Sequence, residues 1–392
     1  MNTNTPPDDS EPNPNQPDRS TSAVQNVSEP FDPNQLIRPS VATLKPYTPI
    51  VPFEILSQQL GRHPDDIVKL DANENPYGPT PQVAKVLAKA PYMHIYPDPE
   101  SRVLREALAA YTGLSADYLL VGSGADELID LVMRLFIEPG DAMINCPPTF
   151  GMYAFDAAIN EAEVINVRRR ADFSIPIDEI EAHFATTEHR IKLIMVTSPN
   201  NPDGSLLPDE DLKRLLALPA MVILDEAYIE FSGHSRIQWL PRYENLIVLR
   251  TFSKWAGLAG LRVGYGAFPL PIIEHLWKIK QPYNVNVAGQ LAAEASLSEK
   301  DALLALVAQI VEERERFYGS LQQFPWLKPY PSHTNFVLCR VEGRDAAEVK
   351  QALAKKGVLV RYYNSTGLQD YLRFSIGTSE QMARLVEALR EI

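Results

Sequence analysis

Residues 246–268, LIVLRTFSKWAGLAGLRVGYGAF, contain two short apolar runs joined by a loop that carries one lysine and one arginine. Each run has the length of a β-strand and lacks the polar alternation of a sheet with one face in water. Such strands are typical of a sheet that is covered on both faces. Lys254 therefore follows a predicted buried strand, at the edge where α/β proteins bind their ligands.

Apolar runs of the same kind recur along the chain. We predict further buried strands at 118–122, 142–146, 163–167, 192–198 and 221–227. Helical patterns lie between them, as in GADELIDLVMRLF at 124–136. This alternation predicts an α/β fold with a mostly parallel central sheet flanked by helices.

The pattern changes near residue 285, where long helices begin. An apolar-periodic helix is expected from about Asp301 to Phe324, followed by strands, shorter helices and a closing helix from about Ser379. These elements predict a smaller α+β domain. At the other end, residues 1–34 are rich in Pro, Asn, Ser and Asp, so we expect a disordered tail. We therefore divide the chain into a tail (1–34), an N-terminal arm with a small-domain segment (35–70), a large domain (71–285) and a small C-terminal domain (286–392).

Composition excludes several classes of protein. The net charge of -13 disfavours binding to nucleic acid or to an anionic membrane. The three arginines at 168–170 are too few to change this, and we interpret them as a solvated strand end. No apolar run is long enough to span a bilayer, and the N-terminus lacks the regions of a secretory signal, so we expect a cytoplasmic protein. The two cysteines, Cys146 and Cys339, fit neither a disulfide framework nor a metal site, and no metal is expected.

Polar residues follow three of the predicted strands, and each has two interpretations. The glycines before Asp126 open a helix whose first N–H groups can bind an anion, or Asp126 is only a helix cap. Asp225 ends a buried strand, so it either meets a cationic ligand or is a cap or an Asp–Arg pair. Asn201 is either an amide donor to a ligand or a turn residue.

Lys254 combines with these residues into the requirements of one cofactor. Most lysines are solvated surface charges, but partial desolvation after a buried strand lowers the pKa and makes Lys254 a candidate Schiff-base amine. Arg262, eight residues on, offers a fork of donors that suits phosphate. An amine, phosphate donors, an acid and an amide are what pyridoxal 5′-phosphate needs.

Four motifs carry a family resemblance. They are CPPTFGMY (146–153), TSPNNPDG (197–204), VILDEAYIEF (222–231) and RTFSKWAGLAGLRVGYG (250–266). In this order they resemble the fold-type I pyridoxal phosphate aminotransferases of the aspartate aminotransferase superfamily. With LDANENPYGP (70–79), YPDPESRVLREALA (96–109) and YLRFSIGTSEQ (371–381), the chain is similar to histidinol-phosphate aminotransferases from about residue 45 to 392.

The resemblance implies a role for each matching residue. Lys254 would bind pyridoxal 5′-phosphate and move the proton at the substrate's α-carbon, and Asp225 would keep the pyridine nitrogen protonated. Phe150 would stack on the ring, and Asn201 and Tyr228 would hydrogen-bond its phenolic oxygen. The phosphate would be held by the backbone of Ala125 and Asp126, the hydroxyls of Thr251 and Ser253, and Arg262. Tyr96 would reach the cofactor of a neighbouring subunit, which implies a homodimer.

Substrate residues follow from the same resemblance. Arg373 matches the arginine that grips the substrate carboxylate, and Arg361 matches a second arginine of the histidinol-phosphate branch. Tyr47 and Asn335 match positions near the substrate. For Arg361 and Tyr47, a surface arginine and a packing tyrosine remain open alternatives.

The implied reaction is reversible amino transfer between L-glutamate and imidazole-acetol phosphate, which gives L-histidinol phosphate and 2-oxoglutarate in histidine biosynthesis. Two half-reactions predict ping-pong kinetics. The alternatives are an aromatic or broad-specificity aminotransferase and a threonine-phosphate decarboxylase-like enzyme. A pyridoxal phosphate-sensing regulator is disfavoured because no helix-turn-helix pattern precedes the fold. Departures at Phe150, Asp203 and Trp255 are expected to affect substrate preference more than cofactor binding.

Overall fold

The structure, a computed structural model, describes residues 31–46 and 52–392. The described residues separate into two units, which divide between Thr43 and Leu44. In the first unit, Asp32 caps a 3-10 helix at Pro33–Leu36, and its side chain accepts a hydrogen bond from the Asn34 N–H. Residues 1–30 of the predicted disordered tail are not among the described residues. The last two residues of that predicted tail, 33 and 34, belong to this 3-10 helix.

The described residues contain α-helices, short 3-10 helices and two sheets. The helices are α1 (Pro39–Ala42), α2 (Phe53–Leu60), α3 (Pro81–Ala88), α4 (Arg102–Thr112), α5 (Ala125–Phe136), α6 (Met152–Ile159), α7 (Ile177–Thr186), α8 (Asp209–Leu216), α9 (Leu270–Ile279), α10 (Val287–Ser298), α11 (Lys300–Leu321), α12 (Ala346–Lys355) and α13 (Ser379–Arg390). The strands are β1 (Val68–Leu70), β2 (Leu119–Gly122), β3 (Asp141–Asn145), β4 (Glu163–Asn166), β5 (Arg190–Thr197), β6 (Met221–Asp225), β7 (Leu246–Thr251), β8 (Gly264–Ala267), β9 (Leu327–Pro329), β10 (Phe336–Val341), β11 (Val358–Tyr362) and β12 (Tyr371–Ser375). No helix in these ranges has the length and apolarity needed to cross a bilayer.

The larger sheet has seven strands in the order β2-β8-β7-β6-β5-β3-β4. Strands β4, β3, β5, β6 and β7 pair in parallel, and β8 is antiparallel to both of its neighbours. The predicted strands and the α/β class are therefore confirmed. The expectation that 163–167 is a buried strand is wrong, because β4 is an edge strand with exposed ends and a half-buried centre.

The central strands are apolar throughout because each face of the sheet packs into a different core. Along β6, Val222 and Leu224 contact one cluster, and Ile223 between them contacts the other. Helix α5 covers the second face with Leu128, among other residues. Because successive strand side chains point to opposite faces, only a sheet covered twice accommodates such a continuous run.

The smaller sheet has five strands in the order β1-β11-β12-β10-β9. Strand β1 pairs in parallel with β11, so the segment just before residue 71 joins strands from the C-terminal end of the chain. Strands β11 and β12 are antiparallel, and their register places Arg361 directly opposite Arg373. Both sheets lie in the unit 44–392, and the domain boundaries remain a prediction.

Candidate active site

A cleft of about 700 Å³ lies beyond the carboxyl ends of the central strands. Its walls come from both sheets, and it contains most of the side chains that the sequence singled out. These are Ala125, Asp126, Phe150, Asn201, Asp225, Tyr228, Thr251, Ser253, Lys254, Arg262, Arg361 and Arg373. The size is that of a small-molecule site.

Lys254 follows β7 and lies partly buried in this cleft. Its Nζ donates a hydrogen bond of 3.1 Å to the Ala72 carbonyl oxygen and lies 5.9 Å from the centre of the Tyr228 ring. Burial, reinforced by the charge of Arg373, lowers the pKa of Lys254 to about 8. A substantial fraction of this amine is therefore neutral near that pH, as a nucleophilic lysine requires.

Asp225 is the last residue of β6, and only 4% of its surface is exposed. Tyr153 donates its hydroxyl to Oδ2 at 2.5 Å, and the Ala227 N–H donates to Oδ1 at 2.9 Å. Burial raises the pKa of Asp225 to about 6. No described lysine or arginine forms an ion pair with this carboxylate, so the Asp–Arg pair considered from the sequence is absent. A cationic ligand is the partner that such a carboxylate lacks.

The start of α5 forms the anion-binding end of the cleft. Gly124 is the N-cap, and no acceptor in the described chain meets the N–H groups of Ala125 and Asp126. Asp126 does not cap the helix, because its side chain pairs with Arg262 at 2.7 Å instead. Unpaired N–H groups and the positive end of a helix dipole favour an anion at this place.

Close backbone approach keeps this end of the cleft narrow. A Cβ added at Gly264 would lie 2.5 Å from the Ala125 nitrogen, so β8 runs directly against the first turn of α5. Arg262 adopts a left-handed backbone conformation with φ of 54°. A residue held in that region is unusual outside glycine and is typical of functional sites.

Hydroxyl groups complete the anion-binding end. Thr251 donates its hydroxyl to Ser253 Oγ at 2.9 Å, and both side chains line the cleft beside Lys254. Two N–H groups, hydroxyls and a guanidinium form a donor set that suits a phosphate. With a neutral amine and a buried acid nearby, these residues fit pyridoxal 5′-phosphate.

Asn201 and Tyr228 are oriented by neighbours outside the predicted set. Arg373 donates from Nη1 to Asn201 Oδ1 at 2.6 Å, so the amide nitrogen of Asn201 remains available as a donor. Asn73 donates from Nδ2 to the Tyr228 hydroxyl at 3.0 Å, which leaves the Tyr228 hydroxyl hydrogen to donate elsewhere. Both residues thus keep a hydrogen-bond donor for a ligand oxygen.

Arg361 and Arg373 form a pair of guanidiniums on the wall from the smaller sheet. Their guanidinium carbons lie 5.5 Å and 5.8 Å from the centre of the Tyr363 ring. Arg373 also donates from Nη2 to the Asp71 carbonyl oxygen at 2.7 Å. Like charges directly opposite each other across two strands repel, and a bound anion relieves this repulsion.

Two predicted residues do not line the cleft, and a third is not among the described residues. Tyr96 is 78% exposed and stacks on Tyr283 at 4.7 Å between ring centroids. Asn335 is fully buried and donates from Nδ2 to the Asn73 carbonyl oxygen at 3.0 Å, so it supports a residue of the cleft wall. Tyr47 lies outside the described residues.

The sequence reasoning missed Tyr153 and Asn73, which contact Asp225 and Tyr228. Both stand inside quoted motifs, but nothing in their spacing showed which strand end they would meet. The interpretation of 168–170 as a solvated strand end is wrong for Arg169, which is half-buried and donates to the Cys146 carbonyl oxygen at 3.1 Å. Arg168 and Arg170 are exposed, and Arg168 also lines the cleft.

The three departures from the family pattern have different consequences. Asp203 accepts hydrogen bonds from Asn200 and from the Ser205 N–H, as a turn residue does. Trp255 is fully buried, stacks on Tyr111 at 5.5 Å and does not line the cleft. Trp255 therefore has no direct contact with the cleft through which it could change the substrate preference as predicted. Phe150 does line the cleft and meets the Tyr153 ring edge to face at 5.5 Å.

Comparisons with known proteins agree with this geometry. Residues 65–389 match the family model described as Aminotransferase class I and II. The chain is 57% identical over 360 residues to a protein of Arabidopsis thaliana named histidinol-phosphate aminotransferase 1, chloroplastic, which covers 91% of this chain and 86% of that protein. It is 48% identical over 365 residues to histidinol-phosphate aminotransferase of Roseiflexus castenholzii, which covers 91% and 98%.

A solved structure shows the same similarity in three dimensions. It is the histidinol-phosphate aminotransferase of Sinorhizobium meliloti in complex with pyridoxal-5′-phosphate, with a TM-score of 0.82 and 28% identity. The superposition covers 95% of this chain and 98% of that one. The chain thus belongs to the class I and II aminotransferase family, and its cofactor is pyridoxal 5′-phosphate.

Proposed function

We propose that this enzyme transfers an amino group reversibly between L-glutamate and imidazole-acetol phosphate, giving L-histidinol phosphate and 2-oxoglutarate in histidine biosynthesis. The relatives that are 48–57% identical over most of the chain carry the name histidinol-phosphate aminotransferase. The structural support is the position of Arg361 opposite Arg373 on the wall of the cleft that holds Lys254. Two adjacent guanidiniums suit a phosphorylated substrate and a dicarboxylate in turn.

Lys254 is the residue that moves the proton. Its Nζ, with a pKa of about 8, takes the proton from the α-carbon of the amino donor and returns it in the reverse direction. When bound, pyridoxal 5′-phosphate would supply the electron sink for the electron pair that this proton leaves behind. Asp225 would hold the positive charge on the pyridine nitrogen, because it is buried and no described lysine or arginine forms an ion pair with it.

The other residues fix the geometry of the reaction. Tyr153 and the Ala227 N–H hold the two oxygens of Asp225, so the carboxylate cannot rotate. Arg373 and Asn73 orient Asn201 and Tyr228 toward a ligand oxygen. The start of α5, together with Arg262, holds the cofactor phosphate, and Phe150 offers an aromatic face to its ring.

The enzyme acts as a homodimer in this proposal, and Tyr96 of one chain reaches the cofactor phosphate of the other. Four nearby side chains support a contact at this surface, because each is more than half exposed although apolar or aromatic. They are Tyr92, Met93, Ile95 and Tyr96. Such a cluster on the surface marks an interaction site.

The expected compartment is the cytoplasm. The plant relatives carry the word chloroplastic in their names, so a plastid is the alternative. Fractionation of the source cells with an antibody against the chain distinguishes the two.

Product analysis over many turnovers tests the proposed reaction. We expect glutamate to form from L-histidinol phosphate and 2-oxoglutarate, with parallel lines in double-reciprocal plots. Equal rates with L-phenylalanine would indicate the broad-specificity alternative. Release of carbon dioxide from threonine phosphate, without a keto product, would indicate the decarboxylase alternative.

A further inference from the structure

Arg168 stands on the wall of the cleft that comes from the larger sheet. It follows β4, whose last residue Asn166 accepts a hydrogen bond of 2.9 Å from Asn145 Nδ2 at the end of β3. Asn145, Asn166 and Arg168 all line the cleft. The asparagine pair therefore ties two strand ends together at the place from which Arg168 projects.

Arg168 also reaches the segment that joins the two arginine-bearing strands of the smaller sheet. Its Nη1 lies 3.5 Å from the position that a Cβ would occupy at Gly367. Gly367 has φ of 87°, a conformation that favours glycine. Ser365, Thr366 and Leu368 of the same segment line the cleft. The guanidinium of Arg168 thus lies at the mouth of the cleft, against the connection between Arg361 and Arg373.

The donors of Arg168 are uncommitted. Within residues 31–46 and 52–392, no hydrogen bond or ion pair involves its side chain. The next residue differs sharply, because Arg169 donates to the carbonyl oxygens of Cys146 and Phe173. A guanidinium has five N–H donors, and all five of Arg168 are available to a ligand.

A phosphate makes better use of a third guanidinium than a carboxylate does. It presents three strong acceptor oxygens, whereas a carboxylate presents two. Arg373 has already committed one N–H to Asn201 and one to the Asp71 carbonyl oxygen. A third guanidinium therefore adds more to the binding of a phosphate monoester than to the binding of a carboxylate.

We propose that Arg168 is a third phosphate-binding guanidinium, which closes the mouth of the cleft over the phosphate of the substrate and favours a phosphorylated amino donor over glutamate. This inference rests on the proposed function, because it specifies how the same cleft distinguishes its two substrates. Arg168 binds substrate and takes no part in proton transfer.

Kinetics of Arg168→Ala and Arg168→Lys test this proposal, with Arg170→Ala as the control. Arg170 is exposed two residues further along and does not line the cleft. We expect Arg168→Ala to raise the KM for L-histidinol phosphate about tenfold and the KM for glutamate by a clearly smaller factor. Lysine at position 168 should recover part of the loss, and Arg170→Ala should match the wild type. Equal changes in both KM values, or no change for L-histidinol phosphate, would overturn the proposal.

Inhibition by inorganic phosphate separates this inference from the proposed function. In the reaction with glutamate as amino donor, phosphate should compete, and Arg168→Ala should raise its inhibition constant about tenfold. If the wild type does not convert L-histidinol phosphate at all, the proposed function fails. In that case inhibition by phosphate still tests the role of Arg168. A higher inhibition constant in Arg168→Ala than in the wild type supports that role, and an unchanged constant overturns it.

Discussion

Burial moves the pKa values of Lys254 and Asp225 toward each other, to about 8 and about 6. The physical cause is the same for both, because a low-dielectric surrounding disfavours whichever form carries charge. For a lysine this favours the neutral amine, and for an aspartate it favours the neutral acid. A cationic ring nitrogen beside Asp225 reverses the second effect, so the acid becomes fully charged only with its ligand in place.

Lys254 is predicted to react as an amine at lower pH than an ordinary lysine. In cofactor-free protein, acetylation of Lys254, followed by mass spectrometry, should rise with a midpoint near pH 8. Arg373→Gln should move this midpoint upward, because the charge of Arg373 helps to lower the pKa. Lys213 is the internal control, since Glu210 raises its pKa. A midpoint for Lys254 that coincides with that of Lys213 would contradict the account.

Asp225→Asn is predicted to stabilise the cofactor-free protein while it abolishes activity. The folded state binds the Asp225 proton more tightly than the unfolded state, so this group's contribution is favourable below about pH 4 and is lost as pH rises through about 6. A shift of about two pKa units corresponds to roughly 3 kcal/mol at neutral pH. Urea unfolding should show this gain at pH 7 and none at pH 4. A variant that is less stable at pH 7 would show that burial does not strain this carboxyl.

At the scale of single residues, the sequence predicted the reactive residues better than the residues that hold them in place. Lys254 and Asn201 each follow a buried strand and Asp225 ends one, so the sequence could predict that all three lie at the cleft. Tyr153 lies on α6, and its contact with Asp225 depends on how that helix packs against the sheet. Packing of this kind has no local signature in the chain.

At the scale of elements, the junction of β8 with the start of α5 determines whether the phosphate end of the cleft can form. Gly264→Ala should push the first turn of α5 away, because the new Cβ would lie 2.5 Å from the Ala125 nitrogen. We expect a loss of about 1–3 kcal/mol in stability and weaker cofactor binding, measured by urea unfolding and by titration of cofactor-free protein.

Gly319→Ala is the matched control for this substitution. Gly319 lies exposed in α11, and nothing stands within 4 Å of an added Cβ. Because alanine is the better helix former, we expect a gain of up to about 1 kcal/mol and unchanged cofactor binding. If Gly264→Ala behaves like Gly319→Ala, close approach of β8 does not shape the site.

The strands themselves were predictable because a doubly covered sheet needs apolar runs, and the seven runs of the larger sheet all became strands. The directions of these strands were harder to predict from the sequence. Strand β8 is antiparallel to β7 because the chain turns back beside Lys254 in the connection at 252–263, and an apolar run does not show in which direction a strand will run. The exposure of β4 follows from its place at the edge of the sheet, which an apolar run alone does not reveal.

At the scale of the whole molecule, the proposed dimer predicts that two inactive variants complement each other. Lys254→Ala lacks the amine and Tyr96→Ala lacks the tyrosine that reaches the other chain. Co-refolded in equal amounts, they should recover about a quarter of the wild-type activity, because half of the dimers would be mixed and each would contain one intact site. Sedimentation of each variant controls for dimer formation. Activity no greater than the sum of the separate variants would place Tyr96 outside the partner's site.

The central claim is that the cleft around Lys254 takes the amino group from a phosphorylated donor. The most direct measurement is the visible absorption of the bound cofactor in a single turnover, after L-histidinol phosphate or L-phenylalanine is added to separate samples. We predict that the absorption band decays far faster with L-histidinol phosphate. Equal decay with both donors would contradict the assigned substrate, and purified protein that never shows the band after loading with pyridoxal 5′-phosphate would contradict the role of Lys254 itself.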